Sequence, residues 1–136
     1  ADLWFEGFLT FLDRPKPGVE RALGDLTQLG VSLKIITGDS QLVARHVAAL
    51  VGLRAGRVLA GRELLDMPDA ALWRVAEETD IFAEVDPNQK ERNILSLKKM
   101  GHVVGFLGDG VNDAPAMHAA DTSLSVEHAV AEHALD

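Results

Sequence analysis

The sequence predicts an α/β fold in which a mostly parallel sheet carries helices on both faces. Two observations support this prediction: short apolar runs of strand length alternate with longer segments, and in those segments apolar residues recur at helical spacing. Repeated strand-helix-strand units are right-handed and build a layered parallel sheet. The chain has 136 residues, of which 47% are hydrophobic, and is expected to form a single domain over residues 1–136.

The N-terminal part is predicted to be a strand followed by a helix. The run from Leu3 to Leu12 is rich in aromatic and aliphatic residues, and it stops at the breaker cluster Asp13 to Gly18. From Val19 onward, apolar residues recur at helical spacing until Gly30 supplies a C-terminal stop. The first run is therefore a predicted strand and the second a predicted helix.

The central part is predicted to repeat this order. Val31 to Ile36 is a short buried strand, and the turn Thr37 to Ser40 contains Asp and Ser residues that can cap a helix reaching Leu50. The pattern loosens from Arg54 to Gly61, where no element is predicted. Asp69 to Glu78 again carries apolar residues at helical spacing and is predicted to be a helix.

The C-terminal part is predicted to contain three strands and two helices. Gly101 ends the predicted helix Gln89 to Met100, and a Gly-Asp-Gly turn separates the strand Val103 to Leu107 from the helix Ala114 to Ala119. The predicted strands are Ile81 to Val85, Val103 to Leu107 and Thr122 to Val126, and the helices are Gln89 to Met100 and Ala114 to Ala119.

Composition excludes several classes of function. The net charge is −8, from 21 acidic and 13 basic residues, and the basic residues are scattered, so no nucleic-acid partner is expected. The absence of cysteine excludes a disulfide framework, a thiolate metal site and a cysteine nucleophile. Because the chain has no cysteine, any catalysis must use oxygen or nitrogen groups. No apolar run approaches the roughly 18 residues that cross a bilayer.

Polar residues follow three of the predicted strands. In parallel α/β sheets, ligands bind outside the carboxyl ends of the strands, where the loops that follow them gather. Hydroxyl and ammonium groups suit a phosphate, while carboxylates suit a hard cation such as Mg²⁺, so the set is sufficient for phosphoryl chemistry. The residues so placed are Thr37, Gly38, Asp39, Lys90, Asp109, Asn112 and Asp113.

Each of these residues also has a structural interpretation. Asp109 and Asp113 can serve as turn and helix-capping carboxylates, and Thr37 can cap its own turn. Lys90, beside Glu91, can be a solvated helix residue. It is the combination of the three loops that favours a site.

Four segments resemble the phosphorylation domain of P-type ATPases. Gly108-Asp109-Gly110-Val111-Asn112-Asp113-Ala114-Pro115-Ala116 is similar to the hinge motif of that family, and Thr37-Gly38-Asp39 is similar to its second phosphate-site motif. The other two are Asp13-Arg14-Pro15-Lys16 and the stretch from Pro87 to Arg92 that contains Lys90. The resemblance covers nearly the whole chain and is closest to bacterial magnesium-transporting P-type ATPases. It implies the three-layer Rossmann-like fold of the haloacid dehalogenase superfamily.

The resemblance also implies a role for each candidate residue. Asp109 would ligate Mg²⁺, and Asp113 would support that metal site. Thr37, Gly38, Lys90 and Asn112 would surround the phosphoryl group. Asp39 and Lys16 would face the nucleotide, which is ATP in the parent protein.

One part of the family pattern is absent. The chain has no Asp-Lys-Thr-Gly-Thr motif, which carries the phosphorylated aspartate. In the superfamily, the strand before that motif lies between the strands that match Val31 to Ile36 and Val103 to Leu107. We therefore expect an inactive C-terminal segment of the domain, in which these two strands either pair directly or recruit a strand from another copy.

The implied parent protein is an ATP-driven cation pump, with magnesium as the transported ion. Its remaining parts, a nucleotide domain, an actuator domain and transmembrane helices, would be the partners of this chain. The chain itself would be soluble, as a cytoplasmic domain of an inner or plasma membrane protein. Two alternatives are a free-standing magnesium-dependent phosphatase of the same superfamily and a non-catalytic unit that binds magnesium or only folds.

Overall fold

The computed structural model describes residues 4–9, 14–108 and 111–126, and within them all paired strands are parallel. The strands are β1 Ile35–Ile36, β2 Val58–Ala60, β3 Ile81–Ala83, β4 Gly105–Gly108 and β5 Thr122–Ser125. The helices are α1 Val19–Gln28, α2 Gln41–Leu50, α3 Gly61–Leu65, α4 Asp69–Glu78, α5 Pro87–Lys99 and α6 Ala114–Ala119, with a 3₁₀ turn at Val111–Asp113 before α6. The predicted α/β class is confirmed.

The strands form two sheets, one with the order β1-β3-β2 and one with the order β4-β5. Successive residues of β3 point to opposite faces of the first sheet, and helices cover both faces. Phe82 belongs to a core shared with α4 and α5, whereas Ile81 and Ala83 pack with Ala44 and Ala48 of α2. The larger core continues to Phe106 of β4, so it spans the two sheets.

Helix α5 joins two halves of the molecule, one built around the β1-β3-β2 sheet and the other around the β4-β5 sheet. On one side Gln89 Nε2 donates to the Gly61 carbonyl at 2.8 Å, and Arg92 donates to the carbonyls of Leu64 and Met67. On the other side, Lys90 and Lys98 reach the region that contains α6 and β5. The Lys98 ammonium lies 2.9 Å from the Ala119 carbonyl and 3.0 Å from the Asp121 carboxylate.

Both sheets run in the same direction. At the amino ends of β3 and β4, Glu77 and His102 lie 3.1 Å apart. At the carboxyl ends, Lys90 follows β3 and Asp113 follows β4, and their side chains meet at 2.6 Å. β1 runs parallel to β3, so it also runs parallel to β4.

A groove of about 860 Å³ lies between β1 and β4. Residues of α5, among them Asn93, Ile94 and Leu97, line it together with Ile36 and Phe106. The prediction that β1 and β4 pair directly is therefore wrong for this chain. The reason is that both sheets pack on α5, which holds β1 and β4 apart.

The predicted helices are all present. Where both ends of a helix were predicted, each observed end lies within two residues of the predicted one. The strand Val31 to Ile36 is shorter than predicted. Its residues before Ile35 would have to pair with the residues before Ile81, and there the neighbouring chain is leaving α4. The loosely patterned segment before Gly61 contains β2, which the sequence did not predict.

The predicted first strand is not formed where the structure describes it. Over residues 4–9 the chain has no regular secondary structure, and Trp4, Phe5, Phe8 and Leu9 are exposed. The rest of that prediction, up to Leu12, lies outside the described residues. None of the described helices combines the length and the apolar character that crossing a bilayer requires.

Candidate functional site

The loop after β1 is ordered by its own polar groups. Thr37 Oγ1 donates to Asp39 Oδ2 at 3.0 Å and accepts from the Asp39 backbone N–H at 3.1 Å. Ser40 then caps α2 by accepting from the Val43 N–H at 3.4 Å, as its position in the sequence predicts. The Thr37 hydroxyl does act within its own turn, and the turn remains exposed at the carboxyl edge of the sheet.

A second loop, between β3 and α5, is hydrogen-bonded to the first. The Glu84 N–H donates to the Asp39 carbonyl at 2.9 Å, and the Val85 N–H donates to the Thr37 carbonyl at 3.2 Å. Glu84 has a φ of 58°, in the left-handed region that non-glycine residues seldom adopt. Sequence reasoning missed Glu84, because glycine or asparagine is the usual signal for that conformation. The two loops are thereby fixed relative to each other.

The start of α5 orients Lys90. Asp86 accepts from the Gln89 N–H at 2.8 Å and Gln89 Oε1 accepts from the Asp86 N–H at 3.1 Å, which forms a capping box with Pro87 in the first turn. This cap, together with the bond from Gln89 to Gly61, fixes the first turn of the helix. Lys90 projects from that turn towards the loop after β4.

Lys90 and Asp113 form a buried ion pair. Lys90 Nζ lies 2.6 Å from Asp113 Oδ1, and only 14% and 9% of the two side chains are exposed. The interpretation of Lys90 as a solvated helix residue is therefore wrong. A buried charge pair is stable only when both charges are present and well oriented, so the loop after β4 is tied to α5 at this point.

The loop after β4 is closely packed where it begins. A Cβ atom at Gly108 would lie 2.9 Å from Asp113 Oδ2 and 2.8 Å from the Phe106 ring, so only glycine fits. Asn112 is exposed beside Asp113. Asp109 and Gly110 lie outside the described residues. The structure thus brings Lys90 and Asp113 together and leaves the Asn112 amide accessible to a ligand.

The described donor set fits Mg²⁺ better than a transition metal. No group of three His, Cys, Asp or Glu side chains able to hold a metal occurs among the described residues. Mg²⁺ does not need one, because it binds through one or two carboxylates, waters and phosphate oxygens. Oxygen ligands of this kind are available from Asp113, Asn112 and Asp39.

Lys16 lies in different surroundings from the three loops. It is exposed and lines a cavity of about 520 Å³ together with Arg14, Arg21 and Leu50. Three cations and the single carboxylate of Glu20 line the cavity, which gives it a net positive charge. The structure therefore groups Lys16 with other cations rather than with Lys90 or Asp113.

The amino edge of the sheets carries a separate polar cluster. Asp121 accepts from the Val104 N–H at 2.9 Å, and its carboxylate lies 3.0 Å from the Lys98 ammonium. The backbone hydrogen bond, and then the lysine, lower the pKa of Asp121 below its usual 3.8. This cluster lies at the opposite end of α5 from Lys90, so it anchors the fold rather than the site.

Comparison with known proteins finds P-type ATPases that are similar over nearly the whole chain. Over 96% of its length the chain is 48% identical to the "Magnesium-transporting ATPase, P-type 1" of Escherichia coli K12, of which it covers 14%. It is 39% identical to the "Calcium-transporting ATPase 1" of Saccharomyces cerevisiae over 92% of the chain and 14% of that protein. A similar match, at 35% identity over 92% of the chain and 16% of the relative, is the "Putative cation-transporting ATPase MJ1226" of Methanocaldococcus jannaschii.

The chain thus spans about one seventh of the length of these relatives. The family model that describes haloacid dehalogenase-like hydrolases matches residues 5–121. That range includes every described helix and strand from α1 to α6. The chain belongs to the haloacid dehalogenase-like hydrolase family.

Proposed function

We propose that residues 1–136 form one domain, the larger C-terminal part of the phosphorylation domain of an ATP-driven P-type cation pump, with magnesium as the transported ion. The observation that carries this proposal is the buried Lys90–Asp113 pair at the same sheet edge as the Thr37 loop. A phosphoryl site needs fixed charges at a strand edge, because phosphoryl transfer depends mainly on positioning and electrostatic stabilisation.

Each residue at this edge then has a role. Thr37, Gly38, Lys90 and Asn112 surround the phosphoryl group, and Asp39 faces the nucleotide. Asp109 and Asp113 hold Mg²⁺, which when bound would neutralise charge on the phosphate oxygens. Lys16 also faces the nucleotide in this scheme, and its basic surroundings suit a polyphosphate.

The nucleophile comes from outside this chain. A strand inserted in the groove parallel to β1 and β4 would end at the carboxyl edge, next to the Thr37 loop and Asp113. An aspartate that follows such a strand would therefore arrive beside the Lys90 ammonium. Because this chain lacks that aspartate, it neither forms an acyl-phosphate nor turns over ATP by itself.

The partners follow from the length of the relatives. A chain that covers 14% of its relatives leaves room for the nucleotide domain, the actuator domain and the membrane helices of a pump. ATP is the phosphoryl donor in that parent protein, and this chain would lie on the cytoplasmic side of an inner or plasma membrane. Strand exchange with another copy would be a substitute for the missing strand.

Magnesium titration of the ¹⁵N-labelled chain tests the metal site. We expect Mg²⁺ to shift the backbone amides of residues 109–113, and Asp109→Asn to weaken the response. Asp66→Asn is the control, because Asp66 is an exposed carboxylate at the end of α3. A uniform, weak response in all amides would indicate a unit that only folds.

Incubation with γ-labelled ATP and with p-nitrophenyl phosphate tests the missing nucleophile. We expect no label on the protein and no product from either compound. Hydrolysis of p-nitrophenyl phosphate that is lost in Asp109→Asn would contradict the proposal and would favour a free-standing phosphatase of the same family.

A further inference from the structure

The first residue of α3 lies directly against the loop between β3 and α5. Ala60 pairs with Ala83 in register, so the residues that follow them, Gly61 and Glu84, come to lie side by side. A Cβ atom at Gly61 would lie 2.1 Å from the Glu84 carbonyl oxygen, so only glycine allows this approach. Gly61 is therefore a fixed point of contact between the β2–α3 segment and the carboxyl edge of the sheet.

This contact reaches the Thr37 loop through the backbone of Glu84. The Glu84 carbonyl lies against Gly61, while the Glu84 N–H donates to the Asp39 carbonyl at 2.9 Å. With a φ of 58°, this one residue makes both contacts. The next N–H, that of Val85, donates to the Thr37 carbonyl at 3.2 Å. The position of Gly61 is thus transmitted to the loop that carries Thr37.

The Gln89 side chain joins the same glycine to the start of α5. Its Nε2 donates to the Gly61 carbonyl at 2.8 Å, and its Oε1 accepts from the Asp86 N–H at 3.1 Å. A carboxamide can do both at once, because it carries a donor and an acceptor on one carbon. Gln89 is half-buried, and the residue that follows it is Lys90, which contacts Asp113.

The end of the helix alone does not explain a glutamine at this position. Asp86 caps α5 by accepting from the Gln89 N–H at 2.8 Å, and a glutamate at position 89 would complete the capping box equally well. The NH₂ group of Gln89 contributes nothing to that cap, because it donates to Gly61 instead. The donor half of the carboxamide therefore serves the connection to α3.

We propose that Gln89 is a positioning residue of the phosphoryl site, and that it keeps the Lys90 ammonium at a fixed distance from the Thr37 loop by tying α5 to Gly61. The inference rests on the proposed function, which places the phosphoryl group between Lys90 and that loop. Phosphoryl transfer depends on the placement of charges, so a small displacement of Lys90 is enough to weaken binding.

Two variants of Gln89 in the 136-residue chain separate positioning from capping. Gln89→Glu keeps the acceptor for the Asp86 N–H and removes the donor to Gly61, whereas Gln89→Met removes both. Asn88→Asp is the control for charge, because Asn88 is exposed in the same first turn of α5 and the change leaves the Gln89 carboxamide in place.

Three measurements on these chains need no ligand. They are the melting temperature, the backbone amide shifts of Thr37 and Gly38, and the rate at which the Lys90 ammonium protons exchange with water, followed by ¹⁵N NMR. The ammonium is suited to this measurement because it is paired and only 14% of the Lys90 side chain is exposed.

We expect both Gln89 variants to shift the Thr37 and Gly38 amides. Both should also speed exchange of the Lys90 ammonium protons about fivefold, the effect of losing one neutral hydrogen bond. Gln89→Met should melt about 5 °C below the wild type, whereas Gln89→Glu, which retains the capping box, should melt within about 2 °C of it. Asn88→Asp should leave the Thr37 amide and the Lys90 exchange rate unchanged.

Three results would overturn the proposal. The first is that Gln89→Glu has the amide shifts and the Lys90 exchange rate of the wild type. The second is that these signals follow the melting temperature alone, which would make Gln89 a capping residue only. The third is that Asn88→Asp reproduces the changes seen in Gln89→Glu, which would make them an effect of charge. Gln89→Glu is sufficient for the decision if Gln89→Met does not fold.

Titration with inorganic phosphate in the presence of Mg²⁺ separates this inference from the proposed function. Phosphate should bind the wild type and Asn88→Asp about fivefold more tightly than Gln89→Glu. If the ligand-free changes occur but phosphate does not bind the wild type, the phosphoryl site is refuted and the tie from Gln89 to Lys90 and Thr37 stands. If phosphate binds the wild type and Gln89→Glu equally well, the phosphoryl site stands and the positioning role is refuted.

Discussion

Removing the Lys90 ammonium should destabilise the chain far more than removing an ion pair of the same length on the surface. Lys90→Met keeps most of the side-chain volume and leaves the Asp113 carboxylate in a site where 9% of it is exposed. Loss of one partner of a buried pair costs about 3 to 5 kcal/mol, and slight exposure favours the lower end, about 3 kcal/mol. For a domain of this size the melting temperature would fall by about 10 °C.

The matched control is Arg57→Met. Arg57 lies 2.7 Å from Glu78, nearly the same distance as in the buried pair, but 44% and 70% of the two side chains are exposed. An exposed pair contributes under about 1 kcal/mol. Urea unfolding followed by circular dichroism gives both free energies of unfolding, and repetition in about 1 M salt should diminish the Arg57 effect and leave most of the Lys90 effect. Equal losses in the two variants would refute the argument from burial.

Two further predictions concern packing and pH. Gly61→Ala should cost about 3 kcal/mol, because its Cβ would lie 2.1 Å from the Glu84 carbonyl oxygen. Gly24→Ala, where a Cβ meets nothing within 4 Å, should instead stabilise α1 by up to about 1 kcal/mol; a gain at both positions in thermal unfolding would contradict the clash. The pKa of Asp121 is lower in the folded chain, so its contribution is complete above the usual pKa of 3.8 and is lost as the pH falls through the folded value. Acid unfolding of Asp121→Asn should therefore depend less steeply on pH below about pH 5 than that of the wild type, and identical pH profiles would refute this assignment.

The sequence predicted well the elements whose signals are local. Apolar periodicity and a glycine stop located α1, and the Asp86-Pro87 cap with its downstream Gln89 explains why α5 begins two residues before the predicted start. The segment from Val58 to Ala60 was missed because a three-residue strand buried in a sheet has no periodicity to recognise. Its place depends on β3, which is distant in sequence.

The candidate site was predictable in part for a similar reason. The sheet-edge rule located Thr37, Lys90 and Asp113 at one edge, but it did not predict that Lys90 is buried against Asp113. The left-handed conformation of Glu84 has no local signal in this sequence. It depends on the hydrogen bond that Glu84 makes to Asp39, and such a contact is known only from the folded chain.

The attachment of α5 to both halves of the molecule has a consequence for how the chain unfolds. Gln89 and Arg92 fasten this helix to the segment that contains α3, while Lys90 and Lys98 fasten it to the segment between Asp113 and Asp121. If α5 detached, each sheet would lose the cover of one face at the same moment. The halves therefore lack independent stability, and amide hydrogens in β3 and in β4 should exchange with solvent through one shared opening event.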